Sequence, residues 1–153
     1  MVIEGYLFDA YVEGGRIAVW IWSQGSVVKL YDSFQPALYV IPDKRLIAFL
    51  LARHVPMRYV IRKDFTEQQD IRVLELLPGI GRFQEIVRAI EDIGSYTYEL
   101  YNADIPLEQR YFFERGLFPS CRVRVAVEES VEKEAAYDVA NGQRITSQRT
   151  TND

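Results

Sequence analysis

The stretch "YNADIPLEQRYFFERGLFP", residues 101–119, predicts a short helix with well-marked ends. Asp104 and Pro106 are residue types that begin helices, and Gly116 and Pro119 are types that end them. Three consecutive aromatic side chains stand between these signals. Because neighbouring residues on a helix point about 100° apart, the three aromatics cannot all face one core. We expect at least one to pack on a neighbouring sheet or domain, and to be exposed if that partner is missing.

The chain that precedes this helix begins with the pattern of an antiparallel β-meander. Residues 2–12, 16–22 and 26–31 are apolar runs separated by the turn signals "GG" at 14–15 and "QGS" at 24–26. The middle run, "RIAVWIW", is apolar on both faces. It therefore predicts a central strand that is covered on both sides.

Residues 37–101 predict a β-α-β-β-α-β unit, which is the ferredoxin-like order. Along these residues, the spacing of apolar side chains alternates between the period of a strand and the period of a helix. In order they are a strand in "PALYVIP", a helix over 44–53 capped by Asp43, strands over 57–65 and 70–77, a helix from Ile80 that stops at Gly94, and a strand over 95–101. The predicted fold class is α+β, with the meander, this unit, then the helix and further strands.

The C-terminal part of the chain is more polar. "CRVRVAV", residues 121–127, predicts another strand, and residues 128–153 hold a strand-like run, an Asn-Gly turn and a second short run. An Asn-Gly pair between two such runs is typical of a β-hairpin. We therefore divide the chain into a domain over 1–127 and a polar segment with a hairpin over 128–153.

Few residues of this chain could carry catalysis or bind a metal. A single cysteine, Cys121, excludes a disulfide within the chain and a cysteine-based zinc site, and there is one histidine, His54. We predict no catalytic residue, no metal ligand and no cofactor. The N-terminus lacks the layout of a signal peptide and no run of about 18 apolar residues occurs, so we expect a cytoplasmic protein without a membrane partner.

The charge is unevenly distributed. The net charge of −4 argues against a general nucleic-acid coat, yet the interval from Lys44 to Lys63 holds six basic residues and no acid. Alternation over 57–65 puts Arg58 and Arg62 on one face of a strand, with the apolar side chains on the other. Such a face is either a phosphate-binding surface or an ordinary solvated one, and the sequence leaves both open.

The segment "LLPGIGRFQEIVRAIEDIGSY", residues 76–96, resembles the helix-hairpin-helix DNA-binding motif. In that motif a Pro-Gly-aliphatic-Gly turn, here with Gly79 and Gly81, aims backbone N–H groups at a phosphate. The motif requires a helix before the turn, whereas residues 70–77 suit a strand equally well. A helix-hairpin-helix protein is one alternative function. A structural or protein-interaction domain that binds no nucleic acid is another.

Three segments together resemble the N-terminal domain of archaeal family B DNA polymerases. They are the opening "DAYVEGGRIAVWIW", the strand "FQPALYV" at 34–40, and the stretch 101–119. The last is the most specific, since the family has an Asp-Ile-Pro start, an Arg-Tyr pair and a Gly-Leu-Xaa-Pro stop. The matching residues are Asp104, Ile105, Pro106, Arg110, Tyr111, Gly116, Leu117 and Pro119.

The resemblance implies a domain that holds single-stranded template DNA ahead of the polymerase active site and captures template uracil in a pocket. The parent protein would be a DNA-directed DNA polymerase, and Mg²⁺ is expected only in its polymerase and exonuclease domains. The family's Asp-Ile-Glu exonuclease landmark is absent here, so we expect an excised domain. Its partners would be template DNA and the remaining domains of the parent.

The residues that the resemblance carries over as uracil or template contacts are Tyr11, Pro36, Ala37, Pro78, Ile80, Leu107 and Arg110. Two of them depart from the family pattern. Ala37 stands where the family has a large aromatic side chain, and Leu107 stands where it has phenylalanine. These departures predict that uracil sensing is weakened or lost while the scaffold is retained.

Overall fold

The computed structural model describes residues 1–63, 69–132 and 135–148. The chain forms two compact units, one made of residues 1–34 with 106–153 and the other of residues 35–105. This division differs from the expected boundary at residue 127, because the segment after that boundary pairs with strands of the first unit.

The described elements, in chain order, are ten strands and three α-helices, with a short 3-10 helix at Ile80–Arg82. The strands are β1 (Val2–Glu13), β2 (Arg16–Ser23), β3 (Ser26–Asp32), β4 (Leu38–Val40), β5 (Met57–Lys63), β6 (Asp70–Leu76), β7 (Leu100–Tyr101), β8 (Arg122–Glu129), β9 (Tyr137–Val139) and β10 (Thr146–Ser147). The helices are α1 (Lys44–Ala52), α2 (Phe83–Gly94) and α3 (Leu107–Arg115). The predicted meander strands and both ends of the helix in 101–119 are therefore confirmed.

The strands of the first unit close into a ring. β2 pairs antiparallel with β1 and β3, β9 runs parallel to β3 and antiparallel to β8, and β8 returns to pair antiparallel with β1. Alternate side chains of β2, such as Ile17, Val19 and Ile21, point inward and are fully buried. This alternation makes the inside of the ring the core of the unit.

The outer surface of the ring is covered only in part. Trp22 on β2 has 47% of its surface exposed, and Tyr6, its partner across the β1–β2 pair, has 53% exposed. The expectation that "RIAVWIW" is covered on both faces is thus wrong at this end of the strand. The strand is central in its sheet, but its outward tryptophan lacks a covering layer.

α3 confirms the separation of its three aromatic residues. Tyr111 is completely buried and packs edge-on against Phe34 with ring centroids 5.6 Å apart, whereas Phe113 is 72% exposed. The helix ends at Gly116, whose φ of 66° lies in the left-handed region that favours glycine. At its start, Pro106 occupies the cap position without a side-chain hydrogen bond, so Asp104 does not cap this helix.

The second unit contains the predicted β-α-β-β-α-β succession. Its sheet has the order β5-β6-β4-β7, and all three pairings are antiparallel. Asp43 caps α1 as expected, because its Oδ1 accepts a hydrogen bond from the backbone N–H of Leu46 at 2.8 Å. The residues 64 and 65 of the predicted strand 57–65 lie outside the described residues.

The strand predicted over residues 95–101 is much shorter in the structure. Ser95 and Tyr96 both have positive φ values, of 48° and 63°, and Thr97 closes a turn onto the carbonyl of Gly94. These residues end α2 instead of extending a strand. Only the two residues of β7 join the sheet, although the alternating aromatics suggested more.

The C-terminal runs do not form the predicted hairpin with each other. β9 and β10 both pair antiparallel with β8, at successive places along it. The backbone N–H groups of Ala140 and Gln148 continue this path by donating to the carbonyls of Ala126 and Arg122. The polar tail follows β8 because that strand offers unpaired backbone groups along one edge. No described helix is long and apolar enough to span a membrane.

Candidate functional site

The residues expected to contact uracil or template fall into two groups, one in each unit. Pro36, Ala37, Pro78 and Ile80 belong to the second unit, and Tyr11, Leu107 and Arg110 belong to the first. Each group is brought together by its own local structure.

The second-unit group lies at one end of the four-stranded sheet. Leu38, the first residue of β4, pairs with Leu76, the last residue of β6. Pro36 precedes the first of these partners by two residues, and Pro78 follows the second by two. Because β4 and β6 are antiparallel, the two proline segments flank the same end of the sheet. Both prolines are buried, and Ala37 beside them is partly exposed.

The turn after Pro78 does not belong to a helix-hairpin-helix motif. The preceding segment Asp70–Leu76 is the strand β6, whereas the motif needs a helix there. Gly79 has a φ of 81°, a conformation that L side chains rarely adopt, and it leads directly into the 3-10 helix. The glycine is therefore explained by the strand-to-helix turn, and the helix-hairpin-helix interpretation is wrong.

The first-unit group is assembled where the first turn of α3 meets β1. The backbone N–H of Val12 donates to Oε1 of Glu108 at 3.3 Å, which joins the two elements. Leu107 is 8% exposed and packs as part of the core, whereas Arg110 is partly exposed. Tyr11 is partly exposed on β1, and its hydroxyl accepts a hydrogen bond from Nε1 of Trp20 at 2.9 Å.

A further row of side chains crosses all four strands of the second-unit sheet. Register pairs Arg58 with Glu75, Glu75 with Tyr39, and Tyr39 with Tyr101, so the four side chains point to one face. We name these four residues the cross-strand row. Of these four, the sequence pointed only to Arg58, as part of a face that is either phosphate-binding or solvated, and none was among the expected uracil or template contacts.

Glu75 is the buried centre of the cross-strand row. Its Oε1 accepts a hydrogen bond from Nε of Arg58 at 2.7 Å, and its Oε2 accepts one from the hydroxyl of Tyr39 at 3.1 Å. A second cation, Arg62, lies 3.8 Å from Oε2 and donates to the Tyr39 hydroxyl at 3.3 Å. The carboxylate thus fixes the position of two arginines.

Opposing effects act on the pKa of Glu75. Burial raises it, because a charged carboxylate loses hydration inside the protein. The hydrogen bonds from Arg58 and Tyr39 and the positive charges of both arginines lower it by more, so the pKa is below its ordinary value of 4.5. Glu75 therefore carries a negative charge at neutral pH.

One sequence signal could have revealed this row. The apolar run "VLELL" of β6 is interrupted by one charged residue, Glu75, in a strand that is otherwise buried on both faces at that point. A charged residue is almost never buried without a partner. The alternation that places Arg58 and Arg62 on one face supplied the partners, but pairing them with Glu75 requires the sheet register.

The structure offers little for metal or nucleophile chemistry within residues 1–63, 69–132 and 135–148. No group of three or more His, Cys, Asp or Glu side chains there could hold a metal ion. Cys121 is a buried free thiol with 4% of its surface exposed, and His54 is exposed just after α1.

Comparison with known proteins connects this fold with DNA polymerases. No protein-family model matches the chain, and no curated protein matches it. Among solved structures, the family B DNA polymerase from the hyperthermophilic archaeon Pyrobaculum calidifontis is similar, with a TM-score of 0.60 and 23% sequence identity. The match covers 88% of this chain but only 20% of the polymerase chain. The fold is thus that of a fragment of an archaeal family B DNA polymerase, consistent with the N-terminal domain that the sequence resembles.

Proposed function

We propose that this chain is a domain of a family B DNA polymerase that binds single-stranded template DNA. The observation that carries the proposal is the fold match, which extends over 88% of the chain. The polymerase activity itself would belong to other parts of the parent protein, because the match covers only 20% of the solved relative, which is more than four times as long as this chain.

The architecture of both units supports this proposal. The first unit is a closed ring of five strands with a helix before its fourth strand, an architecture shared with OB-folds, which bind oligonucleotides. In the second unit, the antiparallel order β5-β6-β4-β7 supports a ferredoxin-like classification. RNA-recognition domains bind single strands on such four-stranded sheets.

We further propose that the two proline segments at the end of the second-unit sheet take part in sensing uracil. Pro36 and Pro78, which are both buried, would supply rigid walls, and the turn at Gly79 would supply backbone groups. A slot of this kind can exclude the 5-methyl group of thymine by shape, while backbone groups read the pairing edge of the base. Separately, Arg110 of the first unit would contact a phosphate of the template.

Two substitutions relative to the family, one in each unit, each remove an aromatic side chain that uracil recognition would use. At position 37 an alanine cannot provide the ring surface on which a captured base would stack, and stacking contributes about 1–3 kcal/mol per base. At position 107 a leucine fills the core without an aromatic face. We therefore propose that template binding is retained and that discrimination between uracil and thymine is small.

The experiment is to compare two fluorescently labelled template oligonucleotides that differ only by uracil or thymine at one position. We expect the chain to bind both, with affinities that differ by less than about threefold. Arg110→Ala should weaken both alike if Arg110 contacts phosphate. A loss confined to the uracil oligonucleotide would assign Arg110 to the base site instead, and absence of binding to either would overturn template binding.

A gain-of-function variant sharpens this test. Ala37→Tyr restores an aromatic at a partly exposed position, so it can be accommodated without enlarging a buried residue. We expect this substitution to raise the affinity for the uracil oligonucleotide more than the affinity for the thymine oligonucleotide. Tyr59→Phe, which keeps an aromatic on β5, is the matched control and should change neither affinity. Equal tightening for both bases would contradict a uracil site at the proline segments.

A protein-interaction function is the second candidate, and one surface favours it. Tyr6, Phe8 and Trp22 form an exposed aromatic patch on the first unit, with 53%, 67% and 47% of their surfaces accessible. Phe8 is the extra residue of a β-bulge, where the register shifts between Leu7 and Asp9. Patches of this kind often mark sites of contact with other proteins. If Trp22→Ser leaves oligonucleotide binding unchanged but abolishes association with the other domains of the parent, both functions hold on separate surfaces.

A further inference from the structure

We propose that the face of the second-unit sheet bearing Arg58, Tyr39 and Tyr101 is a stacking surface for single-stranded nucleic acid. This surface is distinct from the proline segments at the end of the sheet. The inference rests on the proposed template-binding function and deepens it, because it names where the strand beyond the sensed base would lie.

The two faces of this sheet differ sharply in composition. On one face β4 and β6 present Leu38, Val40, Leu74 and Leu76, all of which are essentially buried. α1 and α2 carry the buried apolar stripes that cover such a face. The other face carries the cross-strand row together with Arg62 and Val73. Its centre is also buried, at Val73 and Glu75, whereas Arg58 and Tyr101 at its two edges are exposed.

Two tyrosines of the cross-strand row stand side by side. Tyr39 and Tyr101 are paired across the β4–β7 ladder, a spacing of about 4.5–5.5 Å between their Cβ atoms. Tyr101 is 44% exposed. Adjacent aromatic side chains on a sheet are the usual platform for unstacked bases, since every base has a π face.

The arginines are held in a way that suits phosphate. Arg58 uses its Nε to bind Glu75 at 2.7 Å, yet its side chain is 69% exposed. A guanidinium bound through Nε keeps its two terminal nitrogens available for a second, fork-like contact. Arg62 lies over the ring of Tyr39 at 5.1 Å and is 52% exposed, so its planar group extends the stacking surface.

Single-stranded nucleic acid is the partner that fits this combination. Its phosphates need cations with outward donors, and its bases need flat aromatic or guanidinium surfaces at intervals. Glu75 is buried, so its charge orients the arginines without facing an incoming strand. At the β7 edge the strand would meet the exposed Glu99, which accepts a hydrogen bond from the Tyr101 hydroxyl at 2.9 Å. An acidic peptide would use the arginines but would gain nothing from the tyrosine pair.

The opposite face of the same sheet supplies matched controls. Tyr59 on β5 is 46% exposed, nearly equal to Tyr101, and its register with Leu74 places it on the helix-covered face. Arg72 stacks on Tyr59 at 4.0 Å and is also exposed. Tyr59→Leu and Arg72→Gln therefore remove the same ring and the same charge as Tyr101→Leu and Arg58→Gln.

The test measures binding of the full chain to a labelled oligothymidylate of about 12 nucleotides and to an abasic oligonucleotide of equal length. We expect Tyr101→Leu to lower the affinity for the oligothymidylate at least about fivefold, which is the lower end of what one stacked base contributes. The affinity for the abasic strand should be nearly unchanged. Arg58→Gln should weaken both strands. Tyr59→Leu and Arg72→Gln should have smaller effects than their counterparts. Thermal melting of each variant verifies that it is folded.

The outcomes separate this inference from the proposed function. If the unaltered chain binds neither strand, both are overturned. If it binds oligothymidylate but Tyr101→Leu and Arg58→Gln match their controls, template binding stands and the stacking surface is overturned. An abasic strand or an oligoglutamate that binds as tightly as oligothymidylate would likewise overturn stacking. Loss of affinity in Tyr101→Leu for uracil and thymine templates alike supports the surface even if no uracil preference exists.

Discussion

Among the described residues, each unit buries one carboxylate, but the two carboxylates have different surroundings. In the first unit Asp32 accepts a hydrogen bond from the hydroxyl of Tyr111 at 2.7 Å and lies 3.5 Å from Nε of Arg115, whose side chain is only 10% exposed. In the second unit Glu75 is held by Arg58 and Arg62, which are more than half exposed.

This contrast separates a structural ion pair from one that can serve binding. The guanidinium of Arg115 is enclosed, and it also donates a hydrogen bond within the chain, to the carbonyl of Ser33 at 2.9 Å. The hydroxyl of Tyr111 is held by its hydrogen bond to Asp32, and burial, then the nearby Asp32, raise its pKa, so it keeps its proton. A buried carboxylate alone therefore indicates no function. What matters is whether its cationic partners can reach a ligand.

The largest effect is expected for Asp32→Ala. Removing one partner of a buried ion pair leaves Arg115 with an uncompensated charge, which costs about 3–5 kcal/mol. Chemical denaturation should show this loss in the free energy of unfolding, and Asp9→Ala, at an exposed position on β1, should cost less than about 0.5 kcal/mol. An equal loss of unfolding free energy in the two variants would show that Asp32 does not have the structural role assigned to it.

A smaller but still substantial effect is expected for Gly5→Ala in β1. A Cβ at this position would overlap the backbone carbonyl oxygen of Trp22, which cannot move without disturbing the ring. We expect a destabilisation of about 1–3 kcal/mol, measured as unfolding free energy. At Gly94 in α2, an added Cβ would overlap the ring of Tyr98, whose hydroxyl is hydrogen-bonded to Asp43. Gly94→Ala should therefore be destabilising but cost less than Gly5→Ala, because a side chain shifts more easily than a paired backbone carbonyl, and an equal cost would contradict this difference.

Glu75→Gln should cost less than Asp32→Ala, at about 1–2 kcal/mol at pH 7. Arg58 and Arg62 can recover hydration when they lose the carboxylate, whereas Arg115 cannot. The comparison is made by denaturant unfolding of both variants in the same buffer. A larger loss at Glu75 than at Asp32 would reverse our account of which network is structural.

The smallest effect concerns pH. Because the folded-state pKa of Glu75 lies below 4.5, its contribution to stability is fully present above that value and is lost as pH falls through the lowered pKa. The difference in unfolding free energy between the unaltered chain and Glu75→Gln should therefore shrink on acidification below about pH 4.5. A difference that grows in acid would mean that the pKa is raised, and that the arginines do not stabilise the charge.

The sequence predicted local structure well because local signals determine it. Turn glycines, the Asp43 cap and the Gly116 stop fixed the elements to within a residue or two. The segment 95–101 failed because the aromatic alternation concealed two residues with left-handed backbone. Closure of the ring could not be predicted either, because the pairing of β9 with β3 joins residues more than a hundred positions apart.

In the candidate site, too, some residues could be named from the sequence and others could not. Pro36 and Pro78 could be named from the family resemblance, and the antiparallel register of β4 and β6 then placed them at the same end of the sheet. The cross-strand row could not be named, because a lone glutamate in β6 becomes informative only when Arg58 and Tyr39 are known to flank it. Long-range register was the missing information in both units.

The most direct test of the account is a titration of the unaltered chain with labelled single-stranded DNA at several salt concentrations. Contacts between arginines and phosphates release counterions, so the logarithm of the binding constant should fall with the logarithm of salt concentration, with a slope of about −0.7 per phosphate contact. We predict a measurable slope that becomes shallower by about one contact in Arg58→Gln. Absence of binding, or affinity that does not respond to salt, would contradict the claim that this fold binds template DNA.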